Sequence, residues 1–322
     1  MIKTYLFTRE GIEEDVPLDD WRSLVEGECK LLWVDLRSLT REEIEGLAER
    51  FGLHTIEVDS CLNAFHRPHL YEFEDHFYLN LTVVKKSRDV HGFKPSELHV
   101  FAGRNFIVTA TRDADSDAVD KALEELRSSP ALACRGAIHA VYLLAEDLVE
   151  TYYPLVEKLD DEADALEDDM LDRADKGSMR RLQLLKRRAF ELRRLLGPQR
   201  DIFNGLSRRD FPFMTGENQV FFQDVYSRMI RLFDMLDTVR EILSGTMDIY
   251  LSSVSNRLNE VVKVLTIASI MLMTLSFVTG FYGMNFVHLP WLRAPSAFRN
   301  ILVLMAGIVL AMFVWFKRKR WL

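Results

Sequence analysis

Between Asp248 and Gly280, small or polar side chains return at alternating steps of four and three: Asp248, Ser252, Ser255, Asn259, Val262, Thr266, Ser269, Met273, Ser276 and Gly280. A repeat of this kind keeps one helix face toward a shared axis when parallel helices supercoil. The seam is written here in hydroxyls, an amide and a carboxylate rather than in leucines. Within a bilayer such groups need partners or water. Several such helices around one axis would line a wet path offering oxygen acceptors to a hydrated cation. Val262, Leu265 and Met273, on or beside the stripe, supply apolar constrictions of the kind that gate by excluding water. Tight packing of small residues, with hydroxyls bonded across a helix interface, yields the same pattern, and the residues alone leave both readings open. Asp248 and Asn259 favour the path, because they carry the stripe beyond the apolar run.

The elements that position this stripe follow from hydropathy. Val264 to His288 contains no formally charged side chain and is long enough for the roughly 20 residues that a bilayer core demands. Ile301 to Phe316 is a second apolar run, extended by Ala297 and Phe298, with Trp315 suited to an interface. The basic cluster Lys317-Arg318-Lys319-Arg320 follows at once. Basic flanks stay on the cytoplasmic side, so two spans place both termini there, in the inner (cell) membrane. From about Gln219 to Tyr282 no proline occurs and the only glycines are Gly245 and Gly280, which predicts one helix roughly 90 Å long at about 1.5 Å per residue. Two spans per chain cannot enclose a water-filled path, so a pore requires a homo-oligomer.

The rest of the chain reads as water-soluble. A length of 322 residues with 48% hydrophobic and 28% charged residues allows a large core. A net charge of −8 excludes a general nucleic-acid binder and suits cations. Cys29, Cys61 and Cys134 show no metal or disulfide spacing and indicate a reducing setting. The first residues resemble neither a secretory signal nor a transit peptide. Residues 1–130 are expected to form an α/β domain, with strands in LLWVDLRSL, HFYLNLTVV, ELHVFAG and FIVTATR, the last two joined as a hairpin at Gly103-Arg104-Asn105. Thr40-Arg41-Glu42-Glu43 opens a helix reaching about Phe51, and Thr55 opens another. Residues 131–210 are expected to be a helical hairpin, acidic before a turn at Gly177-Ser178 and arginine-rich after it, the two arms neutralising each other. The expected order then runs 211–262 for the membrane-external part of the long helix, 263–284 for the first span, 285–299 for an outer loop, 300–317 for the second span and 318–322 for a basic tail. No phosphate loop, nucleophile–base pair or His/Cys ligand spacing marks an enzyme.

The first span ends in Tyr282-Gly283-Met284-Asn285-Phe286, followed by Pro290, and YLSSVSNRLNEVVKVLTI precedes it. With two terminal spans, these segments resemble the CorA family of magnesium transporters. The resemblance implies a funnel-shaped homopentamer: an α+β cytoplasmic domain joined to a long stalk helix and two C-terminal transmembrane helices. It further implies a selectivity filter at Tyr282, Gly283, Met284 and Asn285, and regulatory Mg²⁺ bound by acids matching Asp224, Asp59 and Glu146. The early acidic pair of the family reads Asp59-Ser60 here, and the outer loop has Val287, His288, Trp291 and Arg293 without an acid. The filter makes independent chemical sense. Mg²⁺ sheds its waters reluctantly, so neutral carbonyl oxygens such as those of Asn285 can recognise the hydrated ion without holding it, although Asn also serves as a helix C-cap. Expected partners are the lipid bilayer, divalent cations and copies of the chain; no organic cofactor is expected. Two alternatives are a ZntB-type zinc transporter and a membrane-anchored coiled-coil scaffold, the latter predicting an apolar seam.

Overall fold

A computed structural model of the chain describes every residue except 64–66, 88–91, 173–174, 209–213, 215, 285–295, 320 and 322. It divides into two compact units, Met1–Thr246 and Met247–Leu322.

The first unit is built on a seven-stranded sheet: β1 (Ile2–Phe7), β2 (Ile12–Glu14), β3 (Leu31–Leu36), β4 (His69–Glu72), β5 (His76–Lys86), β6 (Phe93–Gly103) and β7 (Phe106–Thr111), in the order β2-β1-β3-β7-β6-β5-β4. Among the described residues only β3 and β7 pair in parallel. Every residue of these two strands is buried, as expected of nearly unbroken apolar runs at the middle of a sheet. The hairpin between β6 and β7 turns at Gly103, where a Cβ would overlap the Phe106 ring, so only glycine fits. Asp35 is fully buried in β3. It is neutralised by Arg37 at 2.6 Å and accepts the Thr109 hydroxyl at 2.8 Å, and Thr109 in turn accepts Trp33 Nε1–H at 3.0 Å.

Helices α2 (Arg41–Phe51) and α3 (Thr55–Leu62) close a core over Leu32, Val34, Leu36, Phe101, Phe106 and Val108. As expected, Thr40 caps α2, accepting Glu43 N–H at 3.3 Å. α3 is capped by His54, and its Glu57 reaches back to the His54 N–H at 2.6 Å. Strands β1, β2 and β4, the short α1 (Trp21–Leu24), and α4 (Asp117–Ser128) go beyond the sequence reading. β2 and β4 are short and half polar, with little periodicity to detect.

α5 (Ala137–Asp172) packs on β5, β6 and β7, and Tyr152 donates to the Thr82 carbonyl at 2.9 Å. α6 (Lys176–Arg208) returns alongside it. The turn expected at Gly177-Ser178 lies earlier: both residues belong to the first turn of α6, and the Asp175 carboxylate caps it, accepting Ser178 N–H at 2.8 Å. A short polar side chain at the helix start outcompetes Gly-Ser as the break. The two arms do exchange charge, Arg181 with Asp169 at 2.6 Å and Arg188 with Glu162 at 2.7 Å. Asp160 is pushed up by burial and by the adjacent charges of Asp164 and Asp161. A second correction concerns the cysteines: Cys29 and Cys134, 105 residues apart in sequence, form a disulfide, whereas Cys61 is free and buried. Long-range pairing leaves no spacing signal.

α7 (Gly216–Tyr282) is a single helix of 67 residues, and α8 (Ala297–Arg318) has 22. Both contain a window long and apolar enough to cross a membrane. In the second unit, Ile267 and Phe316 are buried, and Phe316 lies against the rings of Trp315 and Trp321. Most other apolar side chains there are uncovered, Met273 at 71% exposure and Phe298 at 77%. Such a surface belongs in lipid or against further protein.

The pair Glu57–His76 docks α3 onto β5, both side chains being buried, with His76 Nε2 at 3.0 Å from Glu57 Oε1. Burial pulls the His76 imidazole down, but hydrogen bonds and charges from Glu57 and Asp75 more than offset it and leave the group above its ordinary value. A raised folded-state value means stabilisation that is complete below about pH 6.5 and is lost as pH climbs through the raised value. His76→Gln should therefore lower the unfolding temperature more at about pH 6 than at about pH 9. A gap independent of pH, in thermal unfolding monitored by tryptophan fluorescence, would refute the charged pair.

Candidate ion pathway and acidic cluster

The absence of proline from Gly216 to Tyr282 lets α7 continue unbroken, and three threonine hydroxyls in its apolar part are satisfied within the helix. Thr266 donates to the Val262 carbonyl at 2.7 Å, Thr274 to that of Ile270 at 2.8 Å, and Thr279 to that of Ser276 at 3.1 Å. A hydroxyl that has given its proton to the backbone keeps only acceptor lone pairs. Thr266 thus presents an oxygen with the polarity that the water shell of a cation seeks.

In the second unit the covered side of α7 runs through Lys263, Ile267, Met271, Thr274 and Val278. At about 100° per residue, Ser269, Met273, Ser276 and Gly280 lie roughly opposite Ile267. Asp248, Ser252, Ser255, Asn259, Val262, Leu265, Ser269, Met273, Ser276 and Gly280 are exposed, and Thr266 is half-buried. The stripe is therefore not sealed within one protomer. Gly280 has open space where a Cβ would stand.

At the end of α7, Tyr282 is half-buried and Gly283 and Met284 are exposed. Gly283 N–H donates to the Thr279 carbonyl at 2.9 Å, and Met284 N–H to that of Phe281 at 3.4 Å, which tightens the final turn. A Cβ on Gly283 would lie 3.0 Å from the Thr279 oxygen, so the requirement for glycine here is close approach rather than a left-handed backbone. Asn285 lies outside the described residues, as do Phe286, Val287, His288, Pro290, Trp291 and Arg293.

Of the acids proposed as regulatory, the structure brings together Glu146 on α5 and Asp224 on α7. Both converge on Arg228, at 3.4 Å and 3.9 Å, and Glu150 contacts the same guanidinium. Tyr142, beside them, is pushed up to about 12 by burial and then by Glu146. Asp59 is exposed on α3, next to buried Ser60, and is not among the carboxylates that meet Arg228. Among the described residues of one protomer no group of acids, His or Cys is arranged to hold a metal; Arg228 already supplies the positive charge. Arg228 and Glu150 escaped the sequence reading, although Asp224/Arg228 and Glu146/Glu150 are i, i+4 neighbours on helices that face each other.

The pattern that defines this chain is a soluble α/β unit, one long helix and two apolar C-terminal helices. The family model for the CorA-like Mg²⁺ transporter protein matches residues 28–318. The chain belongs to that family: it is a membrane transporter of divalent cations, not an enzyme. Among its relatives, the cobalt/magnesium transport protein CorA of Thermotoga maritima is 34% identical over 292 residues, 90% of this chain and 83% of that one. The zinc transport protein ZntB of Yersinia pseudotuberculosis is more distant, 24% identical over 292 residues, 90% of this chain and 88% of its own length. The complete structure of the CorA magnesium transporter from Methanocaldococcus jannaschii superimposes with a TM-score of 0.83 over 100% of this chain and 99% of that chain, at 24% identity, a likeness of fold.

Arg228→Gln removes the shared cation and leaves Glu146, Glu150 and Asp224 to repel one another. The variant should lose about 1 kcal/mol of stability in this partly exposed setting. Millimolar Mg²⁺ should restore its unfolding temperature while leaving wild type nearly unmoved. Equal responses of the two proteins to Mg²⁺ would show that Arg228 does not occupy a cation position.

Proposed function

We propose that the chain is a passive Mg²⁺ uptake channel, also open to Co²⁺, in which five copies surround one axis and turn the α7 stripe inward. The observation that carries this reading is the exposed row of Asp248, Ser252, Ser255, Asn259, Ser269, Ser276 and Gly280 on α7, with the back-bonded oxygen of half-buried Thr266 at its edge. An apolar seam would be expected of a coiled-coil scaffold. Both termini face the cytoplasm, so the Asp248 end of the stripe opens inward and the Gly280 end outward.

At the outer end Tyr282, Gly283, Met284 and Asn285 form the filter. Asn285 carbonyls accept hydrogen bonds from the water shell of the ion, a weak and reversible hold suited to a cation that dehydrates reluctantly. Val262, Leu265 and Met273 are the apolar positions where the path dries on closing. A divalent ion gains about 4.6 kcal/mol per 100 mV of membrane potential, twice the single-charge value, so no nucleotide hydrolysis is required. The identity of the named cobalt/magnesium relative supports Mg²⁺ and Co²⁺ over zinc.

Closure is assigned to cytoplasmic Mg²⁺ held between neighbouring copies by Asp224, Asp59 and Glu146. Arg228 neutralises Asp224 and Glu146 inside one protomer, so a metal there needs a further carboxylate from another copy. The exposed Asp59 is the residue that can provide it.

Reconstituted into liposomes with an inward-negative potential, wild type should take up Mg²⁺ and Co²⁺, and Asn285→Ala should reduce Mg²⁺ flux at least about tenfold. Absence of flux for every divalent ion would end the channel reading, and Zn²⁺ flux exceeding that of Mg²⁺ would move the chain to the zinc branch. In the same vesicles Asp224→Lys should abolish inhibition by internal Mg²⁺; unchanged inhibition would remove Asp224 from the sensor.

A further inference from the structure

The first unit contains a cavity of about 730 Å³ that the transport reading does not use. One face of α6 lines it, through Phe190, Arg193, Arg194, Gly197, Pro198 and Asp201, at helical steps of three and one. Phe233 of α7, 7% exposed, forms part of the wall, and the exposed Arg67 also lines it. A neighbouring cavity of about 430 Å³ shares Arg67, Pro68, Pro198 and Asp201. Together they offer far more room than a monatomic or simple oxyanion needs, and each lies within the size range of small-molecule sites.

The wall is cationic in a chain whose net charge is −8. Four arginines, Arg67, Arg193, Arg194 and Arg200, line it against two carboxylates, Glu97 and Asp201. Two of the guanidiniums are held in place: Arg193 lies 4.9 Å and Arg200 4.6 Å from the Phe233 ring centroid. That ring also lies over Gly197 of α6, 3.5 Å from where a Cβ would stand. Arg193 is further fixed by Asp237 and Arg200 by Asp201, at 2.8 Å. A single carboxylate occupies at most part of the five-donor fork of each guanidinium. The remaining N–H groups suit a second, larger anion.

An ion-pair cluster serving only the fold would need neither the space nor the fourth arginine. Nor would it need Phe190, a rim residue that is 62% exposed and offers a flat apolar ring. Guanidiniums beside an open aromatic face are the elements that bind phosphate chains and stack bases. We propose that this cavity binds a nucleoside di- or triphosphate, the base against Phe190 and the phosphates along Arg67, Arg194 and the free N–H groups of Arg193 and Arg200. Because phosphate chains are themselves Mg²⁺ ligands, such a site would let the transporter sense the form in which its cargo is held. The binding itself does not depend on the transport reading.

The test is isothermal titration of the full-length protein in detergent micelles with ATP, with tripolyphosphate and with adenosine. ATP should bind saturably and more tightly than tripolyphosphate. Phe190→Ala should weaken ATP about tenfold and leave tripolyphosphate unchanged, whereas Arg194→Gln should weaken both by about the same factor. Both residues are largely exposed, Arg194 at 67%, so unfolding temperature and Mg²⁺ flux without nucleotide should stay at wild-type values. Lack of saturable ATP binding at millimolar concentration, or wild-type binding by both variants, would overturn the proposal. Tripolyphosphate binding as tightly as ATP, indifferent to Phe190→Ala, would overturn the nucleoside assignment.

Discussion

A side-chain oxygen in hydrocarbon must find a proton donor or water, and α7 carries a row of such oxygens through a stretch that is otherwise apolar. Back-bonding to the helix's own carbonyl satisfies the hydroxyl proton of Thr266 but not its lone pairs. The side of α7 around Ile267 is the covered one, and Ser269, Met273, Ser276 and Gly280 lie exposed roughly opposite it. The remaining acceptors therefore require something outside the single chain. In the proposed channel, water held between copies would answer that requirement and would also be what a hydrated cation exchanges with as it moves. Gly280 and Gly283 belong to the same constraint from the steric side: the first keeps the stripe open, and the second lets the last turn close against the Thr279 oxygen.

Charge in the first unit is treated in a different way, by compensation rather than hydration. Buried Asp35 is matched by Arg37, and Glu57 by His76. The hairpin of α5 and α6 matches Glu162 and Asp169 with Arg188 and Arg181. Among these, the cluster at Arg228 differs in having three carboxylates around one guanidinium. Within one protomer that guanidinium already fills the cation position, so a metal in the proposed sensor must compete with it for Asp224 and Glu146.

The sequence was most legible where periodicity or hydropathy spans many residues. The unbroken α7, the apolar α8, the Thr40 cap and the β6–β7 hairpin all follow from signals carried by adjacent residues. Short edge strands such as β2 leave little pattern to read. The disulfide of Cys29 with Cys134 depends on contacts across 105 residues, which no local spacing encodes. The boundary at Gly177-Ser178 shows a competition between two local signals, where the Asp175 cap prevails over glycine. In the acidic cluster, individual residues were visible but their grouping was not. Asp224 and Glu146 belong to helices that are distant in sequence, and the arginine between them became apparent only once α5 and α7 were side by side. The family likeness indicated which acids to examine, and the fold revealed the cation they already share.

Asp224 and the stripe are nonetheless borne by one element. Between Asp224 and Thr266 the helix contains no proline and a single glycine, Gly245, so its hydrogen-bond ladder is uninterrupted by sequence. In the proposed channel, a metal that draws Asp224 away from Arg228 acts on the helix whose other end carries Val262, Leu265 and Met273. The energy for such an act need not be large. A pore that conducts only when wet stands close to the balance between filled and dry states at an apolar ring. A modest differential contact, of the order of one shared ion pair, is enough to shift a two-state element so poised. Partial exposure of Asp224 and Glu146 weakens the resident ion pair through solvent screening, and under the proposed regulation it would keep the exchange of Arg228 for a divalent ion reversible.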